Sequence, residues 1–334
     1  MKWCIIGAGG IADRRTIPAI LQDETNVIVA VADANPSLAK AVGEKYGVKY
    51  YTDYKLMLKE CECDCAYVAT PVFLHYEQAM EVLKYDRHLF IEKPIGRNSQ
   101  EAKEIVDAYK KANKQISVGY MMKFHNLHEK AKKLCKAGAI GDVNSVRLQF
   151  TCWYPDIPGA WRQNKELGGG GALMDLGVHC IELIEYVLNE EIVDVKGIVN
   201  TKTFNYEVED TAIIVFKTKS GVLGHIDVNF NIPDEASESK FEMYGTKGYI
   251  ICNGTLAQEE KGVLNYLYSP QGDYEAKQNR VAGKPKKCKG KSGNMYLKQI
   301  QAFAKIVNSG KTNYKMANRA VQVQQVVDEV YKQN

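Results

Sequence analysis

The sequence predicts an α/β chain: a doubly wound parallel sheet at the N-terminus, then an α+β domain built on a large, mainly antiparallel sheet. Three observations carry this reading. Up to residue 120, short apolar strands alternate with helical stretches and none are adjacent as hairpins. A glycine-rich turn joins the first strand to the first helix. Beyond residue 120, strands with period-two alternation follow one another across short turns. The 334 residues, 45% hydrophobic and 25% charged, suffice for two such cores, 1–120 and 121–334.

Residues 2–6 are an apolar strand that ends in glycines. Ile11, Ile17, Ile20 and Leu21 then recur at helical spacing over 10–22. A second strand, 27–32, is stopped by Asp33 and the turn-forming Asn35-Pro36. Helix 37–46 ends near Gly47 ahead of a short strand at 48–50. Helix 53–60 leads to strand 65–69, broken at Thr70-Pro71. Helix 74–85 precedes strand 88–91, and helix 99–113 precedes strand 116–118. The pattern then changes. After a helix at 124–137, Val146, Leu148, Phe150 and Cys152 alternate with polar residues. Further strands read at 193–200, 211–217, 221–230 and 240–251, and helices near 172–188, 294–308 and 317–332. One face of this second sheet is left available for packing.

Composition excludes several classes. No run approaches the ~20 apolar residues that cross a bilayer, so no membrane role is expected. Met1-Lys2 leads straight into Trp3-Cys4-Ile5-Ile6-Gly7, too short for a secretory leader. Nine scattered cysteines do not form a secreted disulfide pattern, and reduced thiols in a cytoplasm are expected. Cys61, Cys63 and Cys65 lack the loop and fourth ligand of a zinc site, so no metal is expected. Lys284, Lys286, Lys287, Lys289 and Lys291 account for the net charge of +4, which is −1 without them. Interspersed with Gly283, Pro285, Gly290 and Gly293, they read as a solvated loop and not as a nucleic-acid site.

Gly7-Ala8-Gly9-Gly10-Ile11-Ala12 fits the G-x-G-x-x-G/A pattern in its proper place, between a strand and a helix. Gly7 permits a tight turn, Gly9 lets the backbone approach a pyrophosphate, and small Ala12 allows close helix–strand packing. The helix amides, at Gly10 and Ile11 onward, suit the phosphate charge. Asp33 ends the second strand 24 residues after Gly9, where a carboxylate holds ribose hydroxyls. Its charge repels a 2′-phosphate, which favours NAD; Arg14 and Arg15 leave NADP open. The first domain is therefore a Rossmann domain.

Four further segments carry a resemblance: Thr70-Pro71 with His75; Glu92-Lys93-Pro94; Gly119-Tyr120-Met121-Met122-Lys123-Phe124; and the run from Gly168 to His179. With the glycine motif they resemble the glucose–fructose oxidoreductase / inositol dehydrogenase family, often written Gfo/Idh/MocA. The resemblance covers essentially the whole chain. It implies NAD(P)-dependent oxidation or reduction of a sugar or cyclitol, with Lys93 as catalytic lysine and Asp175 and His179 at the substrate. It sets Thr70 and Pro71 beside the nicotinamide, groups His75 and Glu92 with the cofactor site, and groups Tyr120 with the substrate site. It also implies a homodimer or homotetramer through the second sheet. Two departures mark this chain: Lys123 stands where the family usually has Arg, and His125-Asn126 where Asn-Pro is usual. A lysine does not reproduce a bidentate arginine contact.

The chemistry is legible without the family. Lys93 follows a parallel strand, at the edge where open α/β sheets bind ligands. Asp175 and His179 are one turn apart on one helix, with Glu182 and Tyr186 continuing the polar stripe. Gly177 within that helix suggests close backbone approach, and Gly168–Gly171 read as its flexible entry. Alcohol oxidation needs a base, and histidine titrates near neutrality. Lys93 would stabilise the alkoxide and Asp175 would orient lysine or substrate. Trp153, Tyr154, Trp161 and Arg162 read either as walls of a sugar pocket or as core or interface. The same residues also suit a redox-neutral NAD-dependent glycoside cleavage. Retention of Lys93, Asp175 and His179 argues against a non-catalytic NAD(P)-binding regulator.

Overall fold

A computed structural model describes residues 1–270, 272, 283–290 and 293–334. The chain forms two compact units, each assembled from separate stretches. The first comprises Met1–Met121, Gly159–Gly170 and Tyr296–Gln325; the second comprises Met122–Pro158, Gly171–Met295 and Val326–Asn334.

The first unit holds a six-stranded parallel sheet: β1 (Lys2–Ile6), β2 (Val27–Ala32), β3 (Lys49–Tyr51), β4 (Cys65–Val68), β5 (His88–Ile91) and β6 (Ile116–Val118). Its spatial order is β3-β2-β1-β4-β5-β6, so the order reverses between β1 and β4. Local chemistry sets the helices. Asn35 caps Pro36–Tyr46 through the Ser37 and Leu38 amides, and Gly47 ends it at φ 66°. Asp53 and Asn98 cap the helices Tyr54–Glu60 and Ser99–Lys111 in the same way. The helix over 10–21 contains a widened π turn at Ala12–Thr16. The core packs Trp3, Ile5, Ile17 and Phe90 against Ile300 and Phe303. The ring of Phe303 lies 5.4 Å from Trp3 and 5.5 Å from Phe90. Full burial of such a side chain stabilises by about 2–3 kcal/mol. The helix Met295–Asn308, read from sequence as part of the C-terminal half, thus packs Phe303 into the N-terminal core.

The second unit holds β7 (Val143–Thr151), β8 (Ile192–Asn200), β9 (Thr211–Thr218), β10 (Leu223–Asn229), β11 (Lys240–Gly245), β12 (Gly248–Asn253), β13 (Val263–Tyr268) and β14 (Lys286–Lys289). Their order is β14-β13-β12-β11-β7-β10-β9-β8, antiparallel except for the parallel β7–β10 pair. Val146, Leu148, Ile226 and Val228 are buried on one face. The opposite face exposes apolar residues on neighbouring strands: Ile198 is 74% exposed and Leu223 58%, with Ile213 and Val215 on the strand between them.

Three expectations need correction. The single strand expected at 240–251 is a hairpin, turning at Thr246-Lys247 between paired Gly245 and Gly248. The turn takes only two residues, and the buried positions shift from Phe241 and Met243 before it to Ile250 and Cys252 after it. The lysine run is not wholly loop: 286–289 form the edge strand β14, paired with β13. Lysines on an edge strand discourage further pairing; Lys291 lies outside the described residues. The strand Val263–Tyr268 had no counterpart in the sequence reading.

Candidate functional site

In the first unit, parallel strands carry their following residues to one edge of the sheet. Gly7 follows β1, Asp33 follows β2, Thr70 lies two residues after β4, and Lys93 two residues after β5. The reversal between β1 and β4 is the switch point where such sheets bind ligands. Gly7 has φ +86°, and a Cβ there would stand 2.9 Å from the Ala69 carbonyl carbon and oxygen. A side chain would therefore collide with the end of β4. A Cβ at Gly9 would meet the Leu38 side chain at 2.9 Å, so that glycine also serves packing. Asp33 accepts hydrogen bonds from the Ala8 amide at 3.0 Å and the Asn35 amide at 2.9 Å. One carboxylate thus ties the glycine loop to β2. Ile11, ahead of the π turn, offers no side-chain acceptor. The amides opening this helix, the carboxylate on the loop and the small residues together fit a dinucleotide.

Lys93 is half-buried and Glu92 buried. Glu92 accepts from the Tyr67 hydroxyl at 2.6 Å, and Tyr67 in turn lies 2.9 Å from the Thr16 hydroxyl. Burial pushes the Glu92 carboxyl up, opposed by the Tyr67 hydrogen bond and by the charges of Lys93 and Arg162. A Cβ on Gly119 would stand 2.8 Å from the Glu92 carboxylate, so only glycine leaves it room. This buried chain links the π turn after the glycine loop to the residue beside Lys93. Sequence reasoning missed Tyr67 and Thr16; the one signal was a hydroxyl-bearing ring inside an apolar strand.

His75 is buried, with ring nitrogens 2.9 Å from the Pro94 and Thr70 carbonyl oxygens. It bridges the segment after β4 to the segment after Lys93, and burial pushes it down to about 4. Pro71 starts the short turn Val72–Leu74. Tyr120 is buried. Trp161 and Arg162 belong to this unit, the guanidinium lying 4.4 Å above the Trp161 ring.

In the second unit, Asp175 lies in a π turn, Leu173–Gly177, that continues into the helix Val178–Leu188 bearing His179. Asp175 is half-buried and His179 is 6% exposed, its ring edge-on to Phe150 at 6.4 Å. Two expectations change here. A Cβ at Gly177 would meet the Leu173 side chain at 2.6 Å, so crowding comes from a methyl of its own turn and not from an approaching backbone. The glycine run is tightly packed, not a flexible entry. A Cβ at Gly168 would stand 3.1 Å from the Arg162 oxygen, at Gly169 2.8 Å from the Arg97 oxygen, and at Gly171 2.0 Å from the Glu209 oxygen.

Glu182, which continues the stripe, forms an ion pair with Lys123 at 2.9 Å, both side chains buried. Tyr186 carries Lys132 over its ring at 3.8 Å, and its carbonyl accepts from the Lys132 ammonium at 2.7 Å. The cysteines Cys61, Cys63 and Cys65 are buried free thiols. Among the described residues no helix is long and apolar enough to cross a membrane.

Residues 1–120 match the oxidoreductase family with an NAD-binding Rossmann fold (GFO_IDH_MocA), and 128–251 match the GFO/IDH/MocA C-terminal domain. The chain is 25% identical over 274 residues to 1,5-anhydro-D-fructose reductase of Ensifer adhaerens, covering 81% of each. It is 25% identical over 324 residues to myo-inositol 2-dehydrogenase of Thermotoga maritima, covering 93% of this chain and 89% of that one. In fold it is similar to aldose-aldose oxidoreductase of Caulobacter crescentus, solved with glycerol. The TM-score is 0.85 at 23% identity, over 99% of this chain and 96% of that one.

Proposed function

Because the chain belongs to the GFO/IDH/MocA oxidoreductase family and carries its NAD-binding Rossmann domain, we propose that it interconverts a hydroxyl and a carbonyl on a sugar, sugar derivative or cyclitol. The observation that carries this is the placement of Gly7, Asp33, Thr70 and Lys93 at one edge of the parallel sheet. NAD(P), when bound, supplies the hydride acceptor or donor.

In this reading Gly7, Gly9, Gly10, Ile11 and Ala12 seat the pyrophosphate, and Asp33 holds the adenosine ribose. Thr70 and Pro71 border the nicotinamide, held by His75, while Glu92 fixes the backbone on which Lys93 stands. The Lys93 ammonium donates to the reacting oxygen and stabilises it as negative charge develops. His179 removes the hydroxyl proton in oxidation and returns it in reduction. Asp175 orients the lysine or the substrate, and Tyr120, Trp161 and Arg162 complete the sugar site. The open face bearing Ile198, Ile213, Val215 and Leu223 is the contact of a homodimer or homotetramer, and the protein works in the cytoplasm.

The test is a panel of free sugars, inositols and glycosides with NAD and NADP in parallel, read by absorbance of the reduced cofactor. Net accumulation of reduced cofactor with a sugar or inositol supports the proposal. Glycoside cleavage without net reduction would replace it with the redox-neutral reaction. Cofactor binding with no turnover across the panel would favour a regulator.

A further inference from the structure

The helix carrying Asp175 and His179 does not cap itself. Its first turn, Leu173–Gly177, follows Ala172, which has no side-chain acceptor, yet the opening amides of a helix require one. Glu209, from just ahead of β9, supplies it. One carboxylate oxygen accepts from the Gly171 amide at 3.0 Å and the other from the Leu173 amide at 2.9 Å. Between them, the Ala172 amide donates to the Glu209 carbonyl at 3.0 Å. The Tyr331 hydroxyl, 122 residues away in the final helix, donates to the same carboxylate at 2.8 Å.

Glu209 is only 7% exposed. Burial pushes its carboxyl up, against the Tyr331 and amide hydrogen bonds. An ionised carboxylate accepts all three side-chain bonds without turning a proton of its own against a donor. A helix N-terminus is also where a buried anion is favoured. Gly171 makes the fit possible, since a Cβ there would stand 2.0 Å from the Glu209 carbonyl oxygen. Three consecutive amides are thus held by one residue with no slack between helix and strand.

We propose that Glu209, braced by Tyr331, is a positioning residue that sets the direction of the helix bearing Asp175 and His179. His179 lies six residues beyond Leu173, roughly 9 Å along the axis at helical rise. A tilt of about 10° at the clamp would move its ring by roughly 1.5 Å, and displacements of ~1 Å cost up to about 100-fold in rate. Glu209, Tyr331 and the helix they hold belong to the second unit, and the glycine motif, Asp33 and Lys93 to the first, so loss of the clamp is expected to leave cofactor affinity in place.

This inference rests on the roles given above to Asp175 and His179, and the experiment reads the two separately. Glu209→Gln keeps the size but removes the charge; Tyr331→Phe removes only the brace. Three quantities are measured: hydrogen–deuterium exchange over 171–180, NADH affinity by fluorescence, and kcat and KM on the best-used member of the panel. For Glu209→Gln, exchange over 171–180 rises by about tenfold or more. NADH affinity stays within about twofold, and kcat falls by about 10- to 100-fold with KM little changed. Tyr331→Phe moves exchange and kcat in the same direction by a few fold.

Unchanged exchange or unchanged kcat in Glu209→Gln overturns the proposal. So does a fall in kcat matched by equal loss of NADH binding, the mark of general unfolding, if Tyr331→Phe then leaves kcat unchanged. If the unmodified protein turns over nothing in the panel, the roles of Asp175 and His179 fail, and with them the positioning role. The exchange result then decides the clamp alone.

Discussion

Lys123 and Glu182 form an ion pair at 2.9 Å, with side chains only 4% and 2% exposed. Glu182 lies three residues beyond His179 on the same helix, so the pair anchors the second turn of the element that carries the proposed base. It also gives Lys123, the residue that departs from the family's usual arginine, a definite partner inside the second unit.

Breaking that pair from one side leaves a buried charge uncompensated. Lys123→Met is expected to cost about 3–5 kcal/mol of unfolding free energy. The double variant Lys123→Met/Glu182→Leu should recover most of that loss, because neither charge is then left alone. Urea unfolding of the three proteins measures it; a double variant no more stable than the single one would refute the pairing energetics.

In the proposed function Asp33 sets the cofactor preference. Its oxygens accept from the Ala8 and Asn35 amides, and in the proposed site their remaining lone pairs would hold ribose hydroxyls and disfavour a 2′-phosphate. Asp33→Asn should weaken NADH binding by about tenfold and narrow the preference over NADPH by at least as much. Parallel fluorescence titrations with the two cofactors measure the ratio, and an unchanged ratio would place the discrimination elsewhere, with Arg14 or Arg15 next to be replaced.

Lys93 and His179 separate by kinetics. Lys93→Met should lower kcat by about 100- to 1000-fold if it removes the cation proposed at the reacting oxygen. His179→Asn should lower it by about 100- to 10000-fold by removing the proposed base. NADH affinity should change little in His179→Asn. Wild-type kcat in either variant would remove that residue from the mechanism.

Acid should destabilise the fold through buried histidines. His128 places one ring nitrogen 2.7 Å from the Met122 carbonyl and the other 2.8 Å from the Thr255 hydroxyl. The neutral ring satisfies both by donating to the carbonyl and accepting from the hydroxyl. Burial, with the neighbouring His125, pushes His128 down to about 3, and burial pushes His75 down to about 4. Both folded values lie below the unfolded value of about 6.5. The unfolded chain therefore binds more protons in that window, and stability present above pH ~6.5 is lost as pH falls toward 3. For His128 the loss is on the order of 4 kcal/mol across the window. Urea unfolding at pH 7, 5.5 and 4 should show His128→Gln with a flatter pH dependence than wild type; equal slopes would contradict the assignment.

The succession of the first six strands along the chain, the glycine turn, Asp33, Lys93, and the shared helix of Asp175 and His179 are all written in short stretches of sequence. Each depends on periodicity or spacing within about one element, which a linear reading captures. What the tertiary structure decided lies between distant residues. Glu209 meets Tyr331 across 122 positions and Lys123 meets Glu182 across 59. Phe303 enters the core built around Trp3, and residues 286–289 of the lysine run become an edge strand because β13 stands beside them. An isolated carboxylate or lysine in a sequence carries no sign of its partner. Burial and the demand that every buried charge be satisfied select that partner only once the chain has folded.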